Sequence, residues 1–334
     1  MIDAPGFPAS SAEAPATQSR AAPKIALSIV VPVYNESETV ELFLASIDQV
    51  LGNRDDISLQ LVFVNDGSAD DTLDKLLAFQ RRDPRMVIVD LSRNFGKEAA
   101  LTAGLEVAEG QVVVPIDVDL QDPPELIIEM LGKWREGYDV VLARRVSRDT
   151  DSWAKRASAN WFYRIHNKIA EPRIPENAGD FRLMDRCVIE ALKAMPESCR
   201  FMKGLFAWVG FRTAQVDYFR QKRVAGTSKF NGWRLWNFAL EGITGFSTDP
   251  LRIWTYLGLL VSLASVLFAV FIGIKVFVSG VDVPGYASLM VAVSFLGGLQ
   301  LMGIGVIGEY LGRTYIESKR RPVYFVRQIY EVKE

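Results

Sequence analysis

Residues 112–131 read VVVPIDVDLQDPPELIIEML. This stretch shows the strand–turn–helix pattern that recurs in much of the chain. Val112–Ile116 is apolar throughout, which indicates a strand that is buried on both faces. Pro123 and Pro124 stand where prolines suit the start of a helix, and the pattern predicts that helix over Leu126–Trp134. An acidic turn, DVDLQD, lies between the two. The stretch therefore predicts one strand–turn–helix unit of an α/β domain.

The same alternation of apolar runs and amphipathic stretches extends from Ile25 to about Arg145. Further strands are predicted at Leu27–Val33, Leu59–Val64, Met86–Leu91 and Val140–Ala143. The first amphipathic stretch places five apolar residues on one helical face, namely Val40, Phe43, Leu44, Ile47 and Leu51. Apolar strands separated by helices indicate an α/β fold with a mainly parallel sheet and helices on both faces.

Four carboxylates follow directly after predicted strands: Glu36, Asp66, Asp117 and Asp119. Open α/β sheets bind ligands outside the carboxyl ends of their strands, so we expect these side chains to meet at one edge of the sheet. Asp and Asn also favour turns and helix caps, which is an equal explanation for any one of these positions. It is a weak explanation for all four together.

The pair Asp117 and Asp119 has the spacing of a site for one hard divalent cation. Mg²⁺ or Mn²⁺ held by carboxylate oxygens shares its remaining positions with phosphate oxygens and water. The chain contains neither GxGxxG nor GxxxxGK[ST], which argues against a dinucleotide oxidoreductase and a P-loop NTPase.

The composition excludes several classes of function. The 334 residues carry 38 Lys and Arg against 40 Asp and Glu, so no global basic excess supports a nucleic-acid partner. A single histidine, His166, makes a His-based metal site or a Ser-His-Asp triad improbable. Two cysteines are too few for a disulfide framework and are expected to be reduced thiols. Carboxylates, amides and cations must therefore carry the chemistry.

The C-terminal third contains two long uncharged runs, Ile253–Ile274 and Val283–Gly308. About 20 apolar residues span the hydrocarbon core of a bilayer, so both runs are predicted to be transmembrane helices. Basic residues cluster on the outer side of the pair, before Ile253 and after Gly308. By the positive-inside rule, both termini and the α/β domain are expected on the cytoplasmic side of the inner membrane.

Two further segments, about 152–169 and 231–250, combine Trp with basic residues at helical spacing. Such amphipathic helices are typical of the membrane surface, although helices that pack on the sheet would show a similar pattern. The resulting domain prediction is a disordered leader (1–24), a cytoplasmic catalytic domain (25–230), a juxtamembrane amphipathic helix (231–250), two transmembrane helices (251–311) and a cytoplasmic tail (312–334). The leader has no apolar run of the signal-peptide type.

Four sequence motifs between residues 31 and 125 occur in the same order as in a known protein family. They are VPVYNE at 31–36, VNDGS at 64–68 with Asp70 and Thr72, RNFGK at 93–97 and the acidic stretch 117–125. Together they resemble the family 2 inverting glycosyltransferases, and most closely the polyprenyl-phosphate sugar transferases. The resemblance implies a GT-A fold, a nucleotide-sugar donor with UDP favoured over GDP, a divalent metal and a polyprenyl (undecaprenyl) phosphate acceptor.

The resemblance also implies roles for individual residues. Nucleotide-sugar binding is expected at Pro32, Tyr34, Glu36, Asp66 and Asp117, with Asp66 at the base edge. Metal binding is expected at Asp119 and Gln121, and Asp119 and Asp180 are the expected catalytic residues. Asp180 is either a base or a residue that positions the acceptor. Phosphate contacts are expected at Arg144, Arg220, Arg223, Ser228 and Lys229. A solvated basic cluster beside anionic lipid is the alternative for the last four.

Two rival functions stay open. A processive polysaccharide synthase resembles this chain at the acidic pair but carries a QxxRW motif and more spans, neither of which is found in the sequence. A membrane scaffold of the same fold would have no need to keep Asp117, Asp119, Gln121 and Asp180 together. Glycines on the second span offer a small-residue face for helix packing and leave a homo-oligomer open.

Overall fold

The computed structural model describes residues 24–146, 178–198, 200–219, 247–279 and 285–332. Within these residues the strands are β1 (Ile25–Val33), β2 (Ile57–Asn65), β3 (Met86–Leu91), β4 (Val112–Pro115), β5 (Val140–Arg145), β6 (Ala178–Asp185), β7 (Thr213–Tyr218) and β8 (Val326–Tyr330). The helices are α1 (Val40–Leu51), α2 (Thr72–Gln80), α3 (Lys97–Val107), α4 (Leu126–Arg135), α5 (Arg186–Lys193), α6 (Met202–Trp208), α7 (Asp249–Ser279) and α8 (Tyr286–Ser318).

One eight-stranded sheet joins the strands in the order β7-β5-β6-β4-β1-β2-β3-β8. The centre, β4-β1-β2-β3, is parallel, as the apolar runs predict. Helices cover both faces: α1, α2 and α4 pack on one side, and α3, α5 and α6 pack on the other. The α/β fold with a mostly parallel sheet is thus confirmed. The predicted face of α1 is confirmed residue for residue.

Strand β6 was not predicted from the sequence, and it inserts antiparallel between β4 and β5. Its side chains alternate, with Phe181 and Leu183 in one core layer and Met184 in the other. Arg182 shares the face of Met184 and is also buried, which breaks the apolar pattern that marks the central strands. Its guanidinium donates to the Gly179 carbonyl oxygen and lies over the Phe206 ring. Strand β6 carries Asp180 into the sheet beside β4.

The two C-terminal helices α7 and α8 contain 31 and 33 residues. Among the described residues one segment is long and apolar enough to cross a membrane, Phe295–Ser318 in α8. This span lies further along the chain than the predicted Val283–Gly308. The apolar part of α7, Ile253–Phe268, falls short of that length, so the first predicted span is not shown. The predicted interfacial segment 152–169 lies outside the described residues, as do the leader up to residue 23 and most of 231–250.

Candidate active site

The carboxyl ends of β1, β2 and β4 lie side by side at one edge of the sheet. Val33 pairs with Asn65, and the Ile116 amide donates to the Val30 carbonyl oxygen at 3.0 Å. Because these strands are parallel, the residues that follow each of them emerge at the same edge. The expected convergence of Glu36, Asp66 and the Asp117–Asp119 turn is therefore present in the fold.

The turn after β1 is interlocked with the turn after β2. The Asn35 amide donates to Ser68 Oγ at 3.0 Å, and Asn35 Oδ1 accepts from the Ala69 amide at 2.8 Å. The Glu36 amide donates to Thr72 Oγ1 at 3.0 Å, and its carboxylate accepts from Thr39 Oγ1. Half-buried Pro32 and exposed Tyr34 lie at the end of β1 and directly after it, beside these bonds.

Asp66 holds the loop that leads into α3. Its Oδ1 accepts from the Phe95 amide at 2.7 Å, and its Oδ2 accepts from the Gly96 amide at 2.9 Å. Burial raises the pKa of this carboxyl, although both amide bonds favour the ionised form. The structure therefore gives Asp66 a positioning contact that the sequence did not indicate. Its role at the base edge stays a prediction.

Gly67 lets the loop of Arg93 and Asn94 approach this turn. Its φ is +65°, and a methyl group on it would stand 2.4 Å from the Arg93 carbonyl carbon and 2.5 Å from the Asn94 nitrogen. Backbone atoms cannot move aside cheaply, so only glycine fits both the conformation and the space.

We expect Gly67→Ala to lower the free energy of unfolding by about 1–3 kcal/mol more than Gly137→Ala does. Gly137 also has a positive φ, +94°, but its nearest neighbour to an added methyl group is Arg212 Nη1 at 3.6 Å. The two variants therefore share the backbone strain and differ in the clash. Thermal unfolding in detergent measures the difference, and equal losses would show that the clash is absent.

Lys97 joins the acidic turn after β4 to strand β6. Its Nζ lies 2.7 Å from Asp117 Oδ1 and 2.8 Å from Asp180 Oδ2. Burial alone would lower the pKa of Lys97, but the charges of Asp117 and Asp180 outweigh it and hold that pKa above its usual range. One ammonium thus bridges the carboxylate expected on the donor side and the carboxylate expected on the acceptor side.

Asp180 has one oxygen bound by Lys97 and a second, Oδ1, outside that contact. Burial alone would raise the pKa of Asp180, but Lys97 and then Lys203 and Arg182 hold it well below its usual range. Among the residues that the structure describes, none donates a hydrogen bond to Asp180 Oδ1, which is buried. Buried polar atoms are almost always satisfied, so this oxygen points to a ligand contact. Burial and the Asp180 charge raise the pKa of the neighbouring Glu98 to about 8.

The acidic turn itself is strained and partly buried. Leu120 has a φ of 56°, and the Gln121 amide donates to Asp119 Oδ1 at 3.1 Å. Non-glycine residues in this region are held there by their surroundings, often at functional sites. Asp122, also buried, accepts from the Tyr218 hydroxyl on β7 and so anchors the end of the turn.

The residues of this turn are suited to bind a metal ion that is coordinated partly by the protein and partly by the substrate. Among the described residues, no three His, Cys, Asp or Glu side chains gather as a metal cage. Mg²⁺ is commonly held by one or two carboxylates together with substrate phosphates, and the Asp119 carboxylate beside Gln121 offers such a half-site. Lys97 donates to Asp117, and Asp119 stays the predicted carboxylate ligand of the metal.

Arg144 lies on β5 and forms an exposed, bidentate ion pair with Asp217 on β7, at 2.7 and 2.8 Å. This contact raises the pKa of the guanidinium. β5 runs parallel to β7 and antiparallel to β6, so Arg144 is near the edge that carries Asp180. Arg220, Arg223, Ser228 and Lys229 lie outside the described residues. All five phosphate contacts stay predictions.

Lys97 ends the quoted motif RNFGK, but the sequence analysis gave it no role of its own. A signal for it exists, because Lys97 is the first residue of α3 and a cation at a helix N-terminus is unfavourable for the helix dipole. A residue kept at an unfavourable position is a candidate for a contact elsewhere.

The acidic turn thus lies at the carboxyl edge of the parallel strands, and Lys97 joins it to Asp180 on β6. Residues 28–193 match the model of glycosyl transferase family 2, and the chain belongs to that family. It is a glycosyltransferase with the GT-A type of α/β fold, as the motifs had indicated.

Named relatives resemble nearly the whole chain. A bactoprenol glucosyl transferase of Shigella phage SfV is 53% identical over 301 residues, 90% of this chain and 98% of the relative. A prophage bactoprenol glucosyl transferase homolog of Escherichia coli strain K12 is 50% identical over 303 residues, 91% and 99% of the two chains. Among solved structures, glucosyl-3-phosphoglycerate synthase of Mycobacterium tuberculosis is 18% identical with a TM-score of 0.47, covering 66% of this chain and 76% of that one.

Proposed function

We propose that this glycosyltransferase moves one glucose unit from UDP-glucose to the phosphate of a bacterial polyprenol, at the cytoplasmic face of the membrane. The bridge of Lys97 between Asp117 and Asp180 carries the proposal, because it brings the donor side and the acceptor side of the cleft together. The names of the relatives support the choice of sugar and lipid.

The difficult step is departure of the leaving group. As an acceptor phosphate oxygen forms its bond to the anomeric carbon, the bond to the diphosphate breaks and the diphosphate leaves with the electron pair. Positive groups aimed at that developing charge lower the barrier. Lys97 is proposed to be one such cation, and Arg220, Arg223 and Lys229 are proposed to close over the phosphates. Attack opposite the leaving group inverts the anomeric configuration.

A divalent cation at Asp119 and Gln121, when bound with the donor, would neutralise part of the diphosphate charge. Asp119 would supply its carboxylate, and Pro32, Tyr34, Glu36 and Asp66 are proposed to line the nucleoside pocket. The turn that contains Asp119 and Gln121 is bent at Leu120, and the Gln121 amide donates to Asp119 Oδ1, which supports their assignment to one site.

Asp180 is proposed to position substrate and not to remove a proton. The nucleophile is a phosphate oxygen that is already anionic at neutral pH, so no strong base is needed. Asp180 Oδ1 is buried and has no partner among the described residues, so it is suited to accept a hydrogen bond from a sugar hydroxyl. Lys97 lowers the pKa of Asp180 and binds its other oxygen, Oδ2.

The test is transfer by the purified protein to undecaprenyl phosphate in detergent, with a panel of UDP- and GDP-sugars and either Mg²⁺ or Mn²⁺. We expect a lipid that carries a single glucose from UDP-glucose, and no product after chelation. A polymer would support a processive synthase. No lipid-linked product from any donor would reject the proposal and favour a scaffold.

Two membrane spans are part of the proposal. Helix α7 has 31 residues, about 46 Å at 1.5 Å per residue, and its uncharged run Ile253–Ile274 is long enough for a tilted span. Both ends of the pair carry basic residues, which supports a cytoplasmic location for the two ends.

In a chain whose Cys187 and Cys199 are replaced by serine, we expect an impermeant thiol reagent added outside intact cells to label a cysteine at position 279. A cysteine at position 228 should react only after permeabilisation. Labelling of position 228 from outside, with position 279 protected, would contradict this topology.

A further inference from the structure

The last strand of the chain returns from the membrane helix to the catalytic sheet. Strand β8 begins eight residues after α8 ends and pairs antiparallel with β3, with Ile88 opposite Tyr330 and Asp90 opposite Gln328. Backbone pairing alone would cover an exposed sheet edge, which is a common use of such a strand. The side chains of the returning segment make further contacts.

Two residues of this segment hold the backbone just after β3. The Ser92 amide donates to the Phe325 carbonyl oxygen at 2.9 Å, and Arg327 Nη2 donates to the Ser92 carbonyl oxygen at 2.9 Å. Arg327 Nη1 also lies 3.3 Å from Asp90 Oδ2. The Phe325 ring is 6.4 Å from the Phe95 ring. Both hydrogen-bonding groups of the Ser92 backbone are therefore bound by the tail.

The loop that is held in this way is the one that positions the active site. Three residues beyond Ser92, the amides of Phe95 and Gly96 donate to the Asp66 carboxylate. The next residue is Lys97, which bridges Asp117 and Asp180. A continuous series of contacts therefore runs from Arg327 and Phe325, through the loop 92–96, to the ammonium of Lys97.

Two more contacts join the same end of the membrane helix to the catalytic domain. Glu317, in the last turn of α8, accepts from the Ser198 amide at 3.0 Å. The Tyr324 hydroxyl donates to Glu106 on α3. Helix α3 therefore has its first residue in the active site and its last turn bound to the tail.

We propose that Phe325 and Arg327 are positioning residues for catalysis: they fix the loop 92–96 and thereby hold Lys97 between Asp117 and Asp180. This rests on the proposed function for its turnover readout. If β8 served only to cover the edge of β3, its backbone would matter and these two side chains would not.

The test compares Arg327→Ala and Phe325→Ala with two matched controls. Gln328→Ala changes the same strand on its opposite face, and Arg321→Ala removes a cation from the same tail. We expect turnover to fall about tenfold in the first two variants and to stay near wild type in the controls. Phe325→Ala leaves the Asp90–Arg327 pair in place. If Arg327→Ala fails to fold, Phe325→Ala therefore tests by itself whether the tail side chains affect turnover.

A second readout does not depend on transfer. Amide hydrogen exchange at Phe95 and Gly96 should be faster in both variants, with exchange in β1 unchanged. Wild-type turnover and exchange in both variants would overturn the proposal, and so would faster exchange throughout the sheet. If the unmodified protein makes no lipid-linked sugar, the proposed function fails. Amide exchange at Phe95 and Gly96 would still test whether Phe325 and Arg327 hold the loop 92–96.

Discussion

Lys97→Ala is expected to lower the transfer rate at least a hundredfold. Loss of one preorganised donor to a developing oxyanion costs about 2.7–4 kcal/mol, which is about a hundredfold to a thousandfold in rate. Here the loss is compounded, because Asp117 and Asp180 would face each other without their shared cation. The pKa of Asp180 would then rise, and its spare oxygen would no longer be held in one direction.

Lys133→Ala is the matched control for this variant. The Lys133 side chain is 38% exposed and that of Lys97 is 42% exposed, so the two differ little in access to solvent. Within the described part of the chain, Lys133 pairs with Glu136, the residue that follows helix α4, in a surface contact worth little. Initial rates with saturating donor, normalised to folded protein, separate the two. Equal rates for Lys97→Ala and Lys133→Ala would show that the bridge has no part in transfer.

Asp119→Ala is also expected to reduce transfer more than a hundredfold at saturating Mn²⁺, because the proposed metal would lose its carboxylate ligand. Asp119→Asn should be nearly as inactive. Asparagine keeps the shape of the side chain and an oxygen that can accept from the Gln121 amide, but it lacks the negative charge that binds a cation. Retention of more than about a tenth of the wild-type rate by either variant would contradict the metal role.

Asp122→Asn provides the comparison for Asp119. Both carboxylates are buried in the same turn, but Asp122 accepts from the Tyr218 hydroxyl and so serves the fold. We expect its substitution to lower the melting temperature while the rate per folded molecule stays near that of the wild type. Thermal unfolding measured beside the transfer assay distinguishes the two residues.

The local sequence pattern was sufficient to predict a helix that buries one face, such as α1, and a strand that is buried on both faces, such as β3. The buried face of α1 and the bounds of β3, Met86–Leu91, agree with the sequence prediction without change. Burial imposes a period of 3.6 on a helix and a continuous apolar run on a central strand, and both marks can be seen in a short window. The acidic turns were predictable for the same reason, since each follows such a run.

The local sequence pattern did not predict strands whose side chains are partly charged or exposed. Strand β6 carries Asp180 and buried Arg182 in a core position, so its composition does not indicate a strand. Strand β8 carries mostly exposed side chains and gains its place through backbone bonds to β3. The first membrane span illustrates a different limit: an uncharged run predicted it, but among the described residues the structure supports only Phe295–Ser318.

The sequence by itself determined the parallel centre of the sheet, the acidic pair after β4 and the family of the chain, because each depends on residues that are neighbours in sequence. Only the tertiary structure decided which side chains meet. Asp180 reaches Lys97 because β6 enters the sheet antiparallel beside β4, and Arg327 reaches Ser92 because β8 closes the far edge. Such contacts join residues far apart in sequence, and their energy comes from packing and charge pairing that exist only after the sheet has formed.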